Sequence, residues 1–169
     1  MTPSAGHAAA FHLAQINIGR IAAALESLQL KPFMDQLDAV NALADAAPGF
    51  VWRLVGDGNN ATDLRPFADP LMLLNMSVWT DLASLGAFVY RSDHAQIMRR
   101  RREFFETPAE PFMALWWVKA GHVPSPAEGI ERLEHLRRHG PTPIAFSFRQ
   151  PFPPSAAADP IAPVLDECA

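Results

Sequence analysis

Asn75 and Trp79 stand four residues apart in LLNMSVWT, and Asn17 stands in AQINIG, two stretches that are otherwise largely apolar. An amide buried there without a partner costs on the order of 1–3 kcal/mol, so each must be bonded by protein or by a ligand. As ligand groups, Asn17 and Asn75 would hold a substrate carbonyl or phenolate; as structural groups they would bond each other, Gln15 or a buried water. Tyr90, His94 and Arg99 follow in the next stretch. A neutral imidazole at His94 suits removal of a phenolic proton near neutral pH. The plainer role for His94 is to cap a helix or to bond Tyr90 or Asp93. Trp52, Trp79, Trp116 and Trp117 supply flat apolar surface, for stacking on an aromatic substrate or for filling a core. Arg99 to Arg102 is a run of arginines. Four consecutive helical residues span more than a turn, so only one of them, Arg99 or Arg102, is expected to reach a pocket. The rest would face solvent beside Glu103 and Glu106.

Other chemistries find little support. His135 and His139 have metal-ligand spacing, but no glutamate follows the first histidine as in H-E-x-x-H. Basic residues near a helix C-terminus have an electrostatic reason to be there. Phosphate-cradling glycine loops, a nucleophile elbow and a Cys/His pair are missing from the sequence, and Cys168 is the one cysteine. No cofactor and no metal are therefore expected, with haem ligation by His94 or His12 as the alternative. The net charge of −4 disfavours nucleic acid as a partner. The densest apolar run, 71–80, is half the length of a membrane span. The first basic residue is Arg20, which does not look like a secretory start, so a cytoplasmic location is expected.

These residues need elements to hold them. With 169 residues and 49% apolar composition the chain can build one core. Residues 1–10 are small and polar, and 151–169 hold five prolines, so both read as tails around a single domain over 11–150. Alternation predicts strands over 11–18, 50–55, 71–79 and 112–120, with Phe50, Trp52 and Leu54 on one side of the second. Helical spacing follows Pro32, then Thr80 as a cap, and a capping box opens at Ser125-Pro126. Residues 94–106 continue the second helical region, and 145–149 reads as a short last strand. The order β-α-β-β-α-β, with an extra helix and strand, predicts an α+β, ferredoxin-like sheet. Its first and third strands are central neighbours, which would gather Gln15, Asn17, Asn75 and Ser77 into one polar patch. The other face (Ala14, Ile16, Ile18, Met72, Leu74, Met76, Val78) is wholly apolar. Helices of such a fold cover one face, so a homodimer through the apolar face is expected.

Several strings bear a family resemblance: HLAQINIGR (12–20), GFVWRL (49–54), NMSVWTDLASLGAFVYRSDH (75–94), MRRRREFFE (98–106) and LWWVKAGHVPSPAEGIERLEHLRRHGPTPIAFSFR (115–149). They resemble the bacterial family called domain of unknown function 3291, over about 11–150. One departure is Phe104 or Phe105, where that family would be expected to carry tryptophan. More distantly, the pattern is similar to the dimeric α/β-barrel superfamily, which includes cofactor-independent antibiotic-biosynthesis monooxygenases. That likeness implies a pocket between sheet and helices, and an Asn with a Trp four residues later, as in Asn75 and Trp79. It also implies Tyr, His or Arg from the next helix, here Tyr90, His94 and Arg99. The expected function is thus a small-molecule enzyme oxidising an aromatic or polyketide-like substrate held by Asn17, Trp52, Asn75, Trp79 and Trp116. The alternative is a non-catalytic or haem-binding small-molecule-binding dimer on the same scaffold, and a third reading is a purely structural dimer.

Overall fold

The computed structural model describes residues 10–91, 96 and 99–154. In chain order these form β1 (Phe11–Arg20), α1 (Lys31–Asp45), β2 (Phe50–Arg53), β3 (Met72–Trp79), α2 (Leu82–Arg91), α3 (Arg101–Phe104), β4 (Met113–Lys119) and α4 (Pro126–His139). The strands make one sheet in the order β2-β3-β1-β4, every pairing antiparallel. This is the expected ferredoxin-like arrangement, and its register sets Asn17 opposite Asn75 and Gln15 opposite Ser77. No described helix is long and apolar enough to cross a membrane.

Local chemistry explains most element ends. Pro32 occupies the first turn of α1, where its missing N–H has no helical partner to lose. The cap of α2 is Asp81 rather than Thr80: Asp81 Oδ1 accepts the Ser84 backbone N–H at 2.7 Å. Ser125 Oγ accepts the Glu128 N–H at 3.1 Å and starts α4 as the capping box predicts.

The two faces of the sheet are covered differently from expectation. Ala14, Ile16, Ile18, Leu74, Met76, Val78, Ala114, Trp116 and Val118 form the apolar face, each at most 6% exposed. What buries them is α4, through Leu133, Leu136 and Ile130, with Leu54 and Phe67 at the flank. Gly129 lets the helix come that close: a Cβ there would lie 2.9 Å from Met76 Cε and 3.0 Å from Ile16 Cδ1. The face that was expected to need a second copy is thus covered by the chain's own extra helix. Helices α1 and α2 pack on the other face, over Leu13, Gln15, Ser77, Trp79, Leu115 and Trp117.

Two further expectations change near the C-terminus. No strand forms over 145–149; Phe146 alone pairs with Leu115, donating and accepting backbone bonds of 2.8 and 2.9 Å, and a turn follows. Phe152, placed by composition in the tail, is docked. Its carbonyl accepts the Trp117 indole N–H at 2.7 Å, and its ring lies 6.1 Å from that of Phe146.

Candidate functional site

A cleft lies between the sheet and helices α1 and α2. It has two lobes, of about 100 Å³ and about 160 Å³, which share Asn17, Val40, Asn41, Arg53, Asn75 and Arg101 as common walls. The first lobe is closed by Phe50, Trp79, Leu85 and Phe88, the second by Phe33, Leu37, Phe105 and the loop residues 60–62. Trp79 is held from two sides, with Phe88 stacked at 5.1 Å and Phe50 edge-on at 5.4 Å.

The polar floor is one hydrogen-bonded network. Gln15 Nε2 donates to Asn75 Oδ1 at 2.8 Å and to Ser77 Oγ at 2.9 Å. Asn17 Nδ2 donates to Gln15 Oε1 at 3.1 Å and to Asn75 Oδ1 at 3.2 Å, and the Trp79 indole N–H donates to Ser77 Oγ at 2.9 Å. Gln15 and Ser77 are buried, but Asn75 is exposed in mid-strand between buried Leu74 and Met76. Both lone pairs of its oxygen are used, while its Nδ2 donates to nothing among the described residues. Ser77 likewise accepts two bonds, so its own hydroxyl hydrogen remains to donate. The floor therefore keeps N–H and O–H donors that no described residue uses.

Two arginines complete the walls. Arg53 is tied by Asp45 (2.7 and 3.2 Å) and by the Asn59 carbonyl (2.7 Å), which fixes the loop after β2 against α1. The Arg101 guanidinium lies 4.6 Å from the Phe105 ring centre and 4.8 Å from that of Phe112, and donates to the Ile18 carbonyl at 3.3 Å. Burial pushes its pKa below the usual arginine value.

The structure brings together Asn17, Asn75 and Trp79 of the expected residues and leaves the others elsewhere. Trp52 is on the far side. A bulge between Phe50 and Trp52 sets Phe50 opposite Trp79 but Trp52 opposite Val78, so Phe50 and Arg53 face the cleft and Trp52 packs beside α4. Trp116 is fully buried under α4, its indole N–H donating to Glu128 Oε1 at 3.0 Å. Tyr90 is 61% exposed and meets Phe148 edge-on at 5.3 Å, outside the cleft. Arg99 and Arg102 are exposed, and Arg101 is the member of the basic run that reaches in. His94 lies outside the described residues. His12 pairs with Val118, on the strand positions that face α4 and away from the cleft. Arg53, Arg101 and Asn41 were missed: a bulge and a helix phase leave no mark in a single sequence.

A ferredoxin-like α+β domain with a donor-floored cleft under its two crossover helices is the class of protein that this geometry defines. The chain belongs to the family described as domain of unknown function DUF3291, which matches residues 12–162. No curated protein matches it. Among solved structures it is similar to SnoaB from Streptomyces nogalater, described as a cofactor-independent oxygenase (15% identity, 66% of this chain and 95% of that one, TM-score 0.45). It is also similar to PA3566 from Pseudomonas aeruginosa (14%, 69% and 100%, TM-score 0.47). A third similar structure is a provisionally assigned antibiotic biosynthesis monooxygenase from Chloroflexus aurantiacus (15%, 68% and 97%, TM-score 0.42).

Proposed function

We propose that the chain is a small-molecule enzyme that oxidises an aromatic substrate with O₂ and without a cofactor, in the cleft under α1 and α2. The observation that supports this reading is Asn75: an exposed amide in the middle of a central strand, lining both lobes, whose Nδ2 donates to nothing among the described residues. An apolar cavity of ~150 Å³ takes one benzene ring, so two lobes of this size suit one or two fused rings. Trp79 and Phe50 give such a ring a flat wall.

Asn75 Nδ2 and the Ser77 hydroxyl would donate to the substrate's oxygen. When the phenolic proton leaves, negative charge grows on that oxygen, so the donors stabilise the anion more than the neutral phenol. The electron-rich ring then reduces O₂. For a naphthol, the ring C–H opposite the hydroxyl becomes a carbonyl with one oxygen atom of O₂, the other leaves as water, and a naphthoquinone results. Neither lobe is lined by a carboxylate or imidazole among the described residues. His94 is the proposed base, on the chemistry of its imidazole; Tyr90 and Arg99 have no part, being outside the cleft.

The test is O₂ uptake and quinone formation by chelator-treated protein given a naphthol. One O₂ is expected per quinone, and Asn75→Ala should slow turnover about 100- to 1,000-fold, as loss of an oxyanion donor does elsewhere. Naphthol binding without O₂ uptake would replace the enzyme by the non-catalytic binding protein.

A further inference from the structure

Arg101 differs from four other arginines of this chain in what it lacks. Arg20 is paired with Asp69 and Glu106, Arg53 with Asp45, Arg100 with Glu103, and Arg137 with Glu134. Arg101 has no carboxylate partner among the described residues, although it is partly buried and lines both lobes of the cleft. The two neighbouring acids, Glu103 and Glu106, are taken by Arg100 and Arg20. Arg132, also buried without an ion pair, lines neither lobe and braces α4 by donating to the Ile144 carbonyl at 3.0 Å. A partly desolvated guanidinium facing an acid-free cavity leaves its charge for something that enters the cavity.

The seat of that guanidinium is built. Phe105 and Phe112 hold it by their ring faces, an arrangement that keeps a planar cation in one orientation. Gly19 of β1 makes room beneath: a Cβ there would lie 2.8 Å from Arg101 Nη2 and 2.7 Å from Phe105 Cδ1. A glycine in a central strand weakens the strand unless some group needs the space, and here the group is identified.

We propose that the cleft selects an anionic aromatic ligand, a one- or two-ring system whose carboxylate is received by Arg101. The proposal rests on the reading of the cleft as a small-molecule site and names the chemical class that the site takes. The ring lies against Trp79 and Phe50, a ring oxygen meets Asn75 Nδ2, and the carboxylate pairs with Arg101. The neutral isostere of such a ligand, its carboxamide, leaves the guanidinium without an anion.

The experiment compares a hydroxynaphthalene carboxylate with the matching hydroxynaphthalene carboxamide by calorimetric titration of the full chain. Wild type is expected to bind the carboxylate at least about tenfold more tightly, the lower end of what a charged hydrogen bond contributes. In Arg101→Met, which keeps an apolar stem between the two phenylalanines, the two affinities should become equal while carboxamide binding stays about the same. Gly19→Ala leaves the charge but displaces its seat, and should also erase the preference; it decides the matter if Arg101→Met fails to fold. Equal affinities in wild type, or a preference that survives in both variants, overturn the proposal. If both compounds bind equally and Asn75→Ala weakens both, the small-molecule site stands and its anion selectivity falls. If neither binds, both readings fall together.

Discussion

Replacing Ser77 by alanine removes the acceptor of the Trp79 indole N–H, on a side chain that is 1% exposed. The indole N–H can only donate and cannot turn toward water, so it is left orphaned, at about 1–3 kcal/mol. Gln15 Nε2 loses one of two acceptors and keeps Asn75 Oδ1 at 2.8 Å, which adds about 1 kcal/mol. The expected loss is therefore about 2–4 kcal/mol, or a fall of about 1–2 M in the urea midpoint at a slope of ~2 kcal/mol/M. Asn75→Ala breaks two bonds of the same network but orphans nothing. Gln15 Nε2 retains Ser77 Oγ, Asn17 Nδ2 retains Gln15 Oε1, and water replaces an amide that was already exposed. Its expected cost is about 1 kcal/mol or less, near the net value of one hydrogen bond, with a midpoint shift of about 0.5 M. Urea unfolding followed by tryptophan fluorescence, with ligand titration of both variants, measures the contrast. Ser77→Ala should be the unstable variant and Asn75→Ala the one that is stable and defective in binding. If Asn75→Ala unfolds as early as Ser77→Ala and its ligand affinity is unchanged, the assignment of Asn75 to the ligand is refuted and the network is structural throughout.

Two other substitutions separate the faces of the sheet and the helix ends. Trp116→Phe removes a bond to Glu128 and part of a ring buried under α4, and should cost about 1–3 kcal/mol by chemical denaturation while leaving affinity for any cleft ligand unchanged. Asp81→Ala removes the cap of α2, which carries Leu85 and Phe88 into the cleft, and should cost about 0.5–2 kcal/mol. The Ser84 backbone N–H holds the Asp81 carboxyl below its ordinary pKa. The charged cap's contribution is therefore complete above about pH 4 and lost as pH falls through the lowered native value, so the gap between Asp81→Ala and wild type should narrow in acid unfolding curves.

Much of the fold was legible because it is written in short-range chemistry. Alternation over 11–18 and 71–79, Pro32 at a helix start and Ser125-Pro126 at another are local signals, and each strand that they predict forms within a few residues of its expected ends. The element order then implies β1 beside β3, and with it Asn17 opposite Asn75 and Gln15 opposite Ser77. The polar floor of the cleft was legible because it needs only the side-chain period of two and the one long-range pairing, β1 with β3, that the element order implies.

The walls were decided elsewhere. One extra residue in β2 reverses which side chains face α1, exchanging Trp52 for Arg53, and a bulge of that kind is set by pairing with β3. The phase of the short helix α3 turns Arg101 inward and Arg102 outward, a choice made by the rings of Phe105 and Phe112 and the space left at Gly19. The apolar face finds its cover in α4 because Gly129 allows close approach, whereas hydrophobicity alone cannot distinguish a chain's own helix from a second copy. Sequence determined which residues share a strand face, since that depends on a period of two. Tertiary structure decided what each face meets, since that depends on contacts between segments far apart in the chain.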